Sequence, residues 1–251
     1  MSKSGELRVF GVRGLPEISK GMNLQTAILG LLKKQGETLQ DGDIVVVTQK
    51  IVSKAEGRIR QLSSYKPSEL AKALASSLEK DPRHVESILQ ESRKILRAER
   101  GVIIAETKHG FVCANAGIDN SNIDQGKISL LPKNPDASAR RIREGIRRAG
   151  VEVGVIITDT FGRPFREGHV NFAIGIAGIS PMVDYRGRDD GYGNTLKVTV
   201  IAIADEIASA AELVMGKLDR IPVAVVRGYK YSKMDRGARK LVRPSSMNLF
   251  K

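Results

Sequence analysis

Three short apolar runs constrain the fold most: DIVVVT at residues 43–48, VEVGVIIT at 151–158 and the stretch from Pro222 to Arg227 (PVAVVR). Each is rich in β-branched residues and bounded by turn residues, the pattern of a strand buried on both faces. Helical segments lie between them. Residues 24–34 (LQTAILGLLKK) form an amphipathic helix closed near Gly36, and Asp41-Gly42 then turns the chain into the first run. Ser68 caps a helix over SELAKALASSLEK, and Asp81-Pro82 supplies a cap and an N1 proline for a second helix over 84–97. Asp136 caps a helix running to Arg148 and closed by Gly150, and a last helix spans 205–215 before Gly216. Residues 102–106 and 111–114 pair as a hairpin around Gly110, and 197–204 reads as a further strand. The stretch 50–60 (KIVSKAEGRIR) is basic and glycine-interrupted, and is expected to be a loop or lip at the strand's end. Hairpins among alternating strands and helices predict a mixed α+β fold rather than a purely parallel doubly wound sheet.

The chain has 251 residues, 41 Lys+Arg against 28 Asp+Glu, and a formal net charge of +13. Its single cysteine, Cys113, excludes an internal disulfide, and no Cys/His spacing resembles a zinc site. No run approaches the roughly eighteen apolar residues of a membrane span, and residues 1–10 lack a secretory signal. A cytoplasmic protein with no membrane partner is expected. The positive charge suits any polyanion, whether nucleic acid, nucleotide phosphates or a carboxylate-rich substrate, and does not choose among them.

Two carboxylates stand just past apolar strands, Asp119 in NAGIDNSN and Asp159 in ITDTFGRPFR. Magnesium and manganese sites that handle nucleotides use one or two carboxylates and let phosphate and water complete the octahedron. Asp119 and Asp159, with Thr160 beside the latter, suit that role. Turn capping suits both aspartates equally well, and also covers Asp189-Asp190 and Asp205-Glu206. There is no GxxxxGK[ST] loop, and Gly191-Tyr192-Gly193 lacks the third glycine of a dinucleotide fingerprint. Any nucleotide must therefore be held by metal, scattered Lys and Arg, and backbone N–H groups. Lys54, Arg163 and Arg166 are candidates for this, with a solvated basic loop as the alternative. Arg140, Arg141, Arg143, Arg147 and Arg148 spread around one helix with no aromatic platform beside them. His84 reads as helix surface, His109 as turn and Cys113 as core.

Arg13-Gly14-Leu15-Pro16, VSKAEGR at 52–58, residues 115–122, GVIITDTFGRPFR at 154–166 and residues 204–228 occur in an order that resembles the coenzyme F420:L-glutamate ligase family. That family adds glutamates to the deazaflavin precursor F420-0. The resemblance implies an interlaced two-lobe α+β architecture, a single unit over 1–251 without an appended flavoprotein-like domain, and a homodimer. It implies a GTP-dependent ligase that works through an acyl phosphate, with Mg²⁺ or Mn²⁺, K⁺, and GTP, L-glutamate and F420-0 as ligands. By the same resemblance Asp119 and Asp159 hold metal, Thr160 stands at a second-metal position, and Lys54 and Asp159 take part in catalysis. Guanine-nucleotide contacts fall on Leu15, Pro16, Glu17, Ile18, Gln49, Lys50, Lys54, Asn122 and Gly216. The chain departs from the family's pattern at Gln49-Lys50, where hydroxyl residues are common, and at Lys217, where Gln or Glu is common. Two competing expectations are a basic RNA-binding protein, with structural aspartates and phosphate contacts from the arginine helix, and a metal-dependent phosphohydrolase. Nucleic acid is not expected as a partner of the ligase.

Overall fold

The three apolar runs pair with one another in a computed structural model that describes residues 5–121 and 123–248. In chain order the first half comprises β1 (Arg8–Gly11), α1 (Leu24–Lys34), β2 (Ile44–Thr48), α2 (Gln49–Ala55), β3 (Ile59–Gln61), α3 (Glu69–Leu78), α4 (Pro82–Glu91), β4 (Ser92–Glu99), β5 (Val102–Thr107) and β6 (Val112–Ala114). There follow β7 (Lys127–Ser129), α5 (Pro135–Arg147), β8 (Gly154–Arg163), β9 (Arg166–Ala177), β10 (Val183–Asp184), β11 (Val200–Ile201), α6 (Ile203–Met215) and β12 (Val223–Arg227). The fold is α+β, as expected.

A five-stranded sheet of order β1-β12-β2-β8-β9 forms the main body. Only β2 and β8 run parallel; the other pairs are antiparallel. Ile44 to Val47 and Val155 to Ile157 are all inaccessible, so both faces of the central strands are covered. Each isoleucine so buried contributes about 1.5–3 kcal/mol relative to exposure. Both α5 and α6 pack on this sheet. The start of α5 sits so close to β9 that a Cβ at Gly175 would lie 2.5 Å from the Pro135 carbonyl. A half-buried ion pair closes the far side: Arg227 Nη2 and Nε donate to the Asp43 carboxylate at 2.7 and 2.8 Å, with Asp43 only 1% exposed.

A second apolar cluster gathers Ala71, Ala75, Leu78, Val85, Ile88, Ile103, Ala105, Ile118, Ile128 and Leu130, from α3, α4, β5, β7 and the segments flanking β7. Phe111 and Leu131, from the same part of the chain, pack instead on the first cluster. Two cores are compatible with the two-lobe expectation.

Three helix caps match the sequence reading or refine it. Asn23, Ser68 and Asp81 accept from the N–H groups of Thr26, Ala71 and Arg83 at 3.0, 3.2 and 2.8 Å. The expected cap at Asp136 is corrected. Asn134 caps α5 with Pro135 at N1, and Asp136 Oδ1 instead accepts from Ile176 N and Ala238 N at 2.8 and 2.9 Å. The loop expected at 50–60 is also corrected, because residues 49–55 form α2 with Ile51, Val52 and Ser53 buried. The helix expected over 84–97 ends at Glu91, and residues 92–99 pair with β5 through the positive-φ turn Arg100-Gly101. The expected strand 197–204 shrinks to Val200–Ile201, since α6 starts at Ile203. Among the described residues no helix is long and apolar enough to cross a membrane.

Candidate active site

The chain passes from β2 into α2 without a loop, which plants the first turn of that helix at the carboxyl end of the sheet. Gln49 and Ser53 face inward, 2% and 0% exposed, and Ser53 Oγ donates to Gln49 Oε1 at 2.9 Å. Lys50 and Lys54, one turn apart, face a cavity of about 1060 Å³. The Lys50 ammonium donates to Asp119 Oδ2 at 2.6 Å, to the Ser121 carbonyl at 2.6 Å and to Ser121 Oγ at 2.7 Å. Lys54 pairs with Glu17; the lysine side chain is 15% exposed and the glutamate 78%.

Asp119 is fixed by its own neighbourhood. Its backbone bridges Ser129 beside β7, and Oδ1 accepts from Ser121 N at 2.7 Å. Burial would raise its pKa, but the bonds from Lys50 and Ser121 win and hold the carboxyl below its usual range. Asp159 and Thr160 lie inside β8, which extends past the expected end of the strand to Arg163 and pairs with the unforeseen β9. Their side chains are therefore positioned by a ladder instead of a turn. Burial pushes the Asp159 pKa up to about 7, and the Asp119 charge adds to that; the Thr160 N–H, Lys217 and the Gln49 amide oppose it. Thr160 Oγ1 donates to Asn171 Oδ1 at 2.8 Å and accepts from Lys217 Nζ at 2.6 Å. Thr158, 1% exposed, is also among the lining residues, and its enclosed hydroxyl has no partner among the described residues.

The cavity brings together the predicted residues from distant parts of the chain. Leu15, Pro16, Glu17 and Ile18 form one wall, Gln49, Lys50 and Lys54 another, and Asp119, Asp159, Thr160 and Gly216 complete it. Asn122 lies outside the described residues. At Gly216, φ is +57° and a Cβ would fall 2.1 Å from Asp219 Oδ2, so the wall after α6 requires glycine. Sequence reasoning missed Lys20, Arg60, Lys127 and Arg220, which add positive charge to the lining. Their signal was only the basic composition of loops, which many solvated segments share. Another cavity, about 800 Å³ beside β1, contains none of the predicted residues.

The remaining candidates have other employment. Arg163 and Arg166 stand at the tip of the β8–β9 hairpin, outside the cavity lining. Asp190 accepts from Tyr192 N and Asn194 N and so follows the turn reading, whereas Asp205, in the first turn of α6, accepts from Ala173 N of β9 at 2.9 Å and caps no turn. All five arginines of the basic helix face carboxylates: Arg140 with Asp235, Arg141 with Glu56, Arg143 with Glu152, and Arg147 and Arg148 with Glu144. That pairing takes up charge a nucleic-acid surface would use. His109 Nε2 lies 2.9 Å from the Pro132 carbonyl, in its turn. His84 is half-buried rather than on the surface, with Nε2 enclosed. Cys113 is core, and burial pushes its thiol up to about 12, which removes it as a nucleophile at neutral pH.

Among the described residues no group of three or more His, Cys, Asp or Glu could hold a metal. What the cavity offers is a pair of hard carboxylates from different elements, one of them with raised proton affinity. That donor chemistry suits a divalent cation whose other ligands are water and phosphate.

The family model described as F420-0:gamma-glutamyl ligase matches residues 12–228. The coenzyme F420:L-glutamate ligase of Methanothermobacter thermautotrophicus is 47% identical over 249 residues, covering 98% of this chain and 99% of the relative. Those of Methanocaldococcus jannaschii and Archaeoglobus fulgidus are each 46% identical, over 215 and 224 residues, covering 85% and 88% of this chain and 86% and 88% of the relatives.

Proposed function

The chain belongs to the F420-0:gamma-glutamyl ligase family, and from this premise we propose that it joins L-glutamate to coenzyme F420-0 through an amide bond, with GTP as the phosphoryl donor. The observation that carries the reading is the single cavity lined by the predicted nucleotide residues and by both aspartates. Asp119 and Asp159 would hold Mg²⁺ or Mn²⁺, which when bound supplies charge that draws in and polarises phosphate oxygens. A potassium requirement and a homodimer enter the reading from the family resemblance.

In this reading Lys20, Lys54, Arg60 and Lys127 line the approach for the triphosphate, acting as point charges and donors that offset its negative charge. The loop of Leu15 to Ile18 packs against the nucleotide. An oxygen of the F420-0 carboxylate attacks the γ-phosphorus, the bond to the β-phosphate oxygen breaks, and GDP departs. The glutamate amine then attacks the acyl carbon, phosphate leaves with the electron pair of the C–O bond, and the amine proton passes to water. Lys54, beside this chemistry, offsets charge developing on the phosphoryl oxygens. Asp159 is held in place by the Gln49 amide and the Thr160 N–H.

Incubation with F420-0, L-glutamate, GTP and Mn²⁺ or Mg²⁺, followed by mass spectrometry, tests the reading. The expected result is a product heavier by one or more glutamate residues, with GDP formed in step. Phosphate release from GTP without an adduct would replace it with the phosphohydrolase reading, and equal use of ATP would remove the nucleotide assignment.

A further inference from the structure

The two aspartates of the cavity do not stand alone: each is accompanied by an ammonium group of this chain. Lys50 is bonded directly to Asp119. Lys217 lies close enough to Asp159 to act on its charge, and its Nζ is seated 2.6 Å from Thr160 Oγ1. A threonine hydroxyl has one proton and two lone pairs. The proton of Thr160 goes to Asn171 Oδ1 at 2.8 Å, and one lone pair takes the Lys217 ammonium. Asn171 is itself 4% exposed and fixed in β9 opposite Thr160, so this side of the hydroxyl cannot turn toward a new ligand without breaking its bond to a buried side chain. A divalent ion at Thr160 would have to expel Lys217 or share a few ångströms with its positive charge, and the neutral threonine hydroxyl brings no negative charge to compensate.

We propose that the cavity takes one divalent cation per chain, between Asp119 and Asp159, and that the Lys217 ammonium on Thr160 is a built-in second positive charge that meets the anionic phosphate in its place. The inference rests on the metal reading given above. It makes Lys217 a binding residue for the reaction, supplied by the loop that Gly216 shapes. Because Lys217 is on an exposed loop, its replacement leaves both cores untouched.

Counting bound Mn²⁺ decides the matter, by loss of the electron paramagnetic resonance signal of free Mn²⁺ on titration with the full chain, alone and with a non-hydrolysable GTP analogue. The wild-type chain should bind one equivalent. Lys217→Arg, which keeps the charge, should also bind one. Lys217→Gln should bind a second, weaker equivalent in the presence of the analogue and bind the analogue at least tenfold more weakly at limiting Mn²⁺. Two equivalents in the wild type, or an unchanged count and unchanged analogue affinity in Lys217→Gln, would overturn the inference and leave the metal reading standing. No binding to the wild type would overturn both.

Discussion

Replacing Asp159 with asparagine should stabilise the ligand-free protein while destroying its ability to bind a divalent ion. In the unfolded chain this carboxyl has a pKa near 3.8, and in the folded one it is pushed up to about 7. Between those values the folded state binds more protons, so stability falls as pH rises through the window and the penalty is complete above the folded pKa. A shift of this size costs about 2 kcal/mol at pH 5 and about 4 kcal/mol at pH 8, as ceilings, since the opening to the cavity lets water screen part of the charge. Asparagine is nearly isosteric and uncharged, and its oxygen can still accept from Gln49 and the Thr160 N–H. Urea unfolding in the presence of a chelator should therefore find Asp159→Asn more stable than wild type by about 2–4 kcal/mol at pH 8, with a smaller margin at pH 5. Adding Mn²⁺ should raise the wild-type midpoint through preferential binding to the native state and leave the variant's unchanged. A variant equal to or less stable than wild type at pH 8 would refute the argument that burial and the Asp119 charge strain this carboxylate.

Two further outcomes follow from the geometry. Glu17 sits on the Lys54 ammonium from an exposed position, so Glu17→Gln should free that cation and tighten binding of GTP several-fold, read by fluorescence titration with a labelled nucleotide. Asp43→Ala should strip the partly buried Arg227 guanidinium of its bidentate partner, leaving the Thr38 carbonyl and Glu37, costing about 1–3 kcal/mol and a corresponding drop in melting temperature.

The central strands were legible because a run such as IVVV has no other stable place than the middle of a sheet, and the helix caps because Ser, Asp and Pro signal through local bonds. The misreadings share one cause: tertiary pairing overrode local pattern. Residues 92–97 carry a helical composition yet join β5, and β9 hides among polar residues because its first half is exposed while its second half is buried. Helix α2 was missed because Lys50 and Lys54 point into the cavity while Ile51 and Val52 point into the core, so its charge looked like loop character. At the site, motif order identified the residues that line the cavity, but the partners of their charges are matters of three-dimensional proximity. Nothing in the spacing of Lys217 and Thr160, or of Lys54 and Glu17, announced that they touch.

Asp119 belongs to a β-bridge beside β7, and the chain leaving β7 sends Leu130 into one apolar cluster and Leu131 into the other. The carboxylate thus sits where the chain crosses from one apolar cluster to the other, while Asp159 is anchored in the large sheet. The spacing of the pair consequently depends on how the two clusters pack together, and an ion held by both carboxylates would tie one cluster to the other.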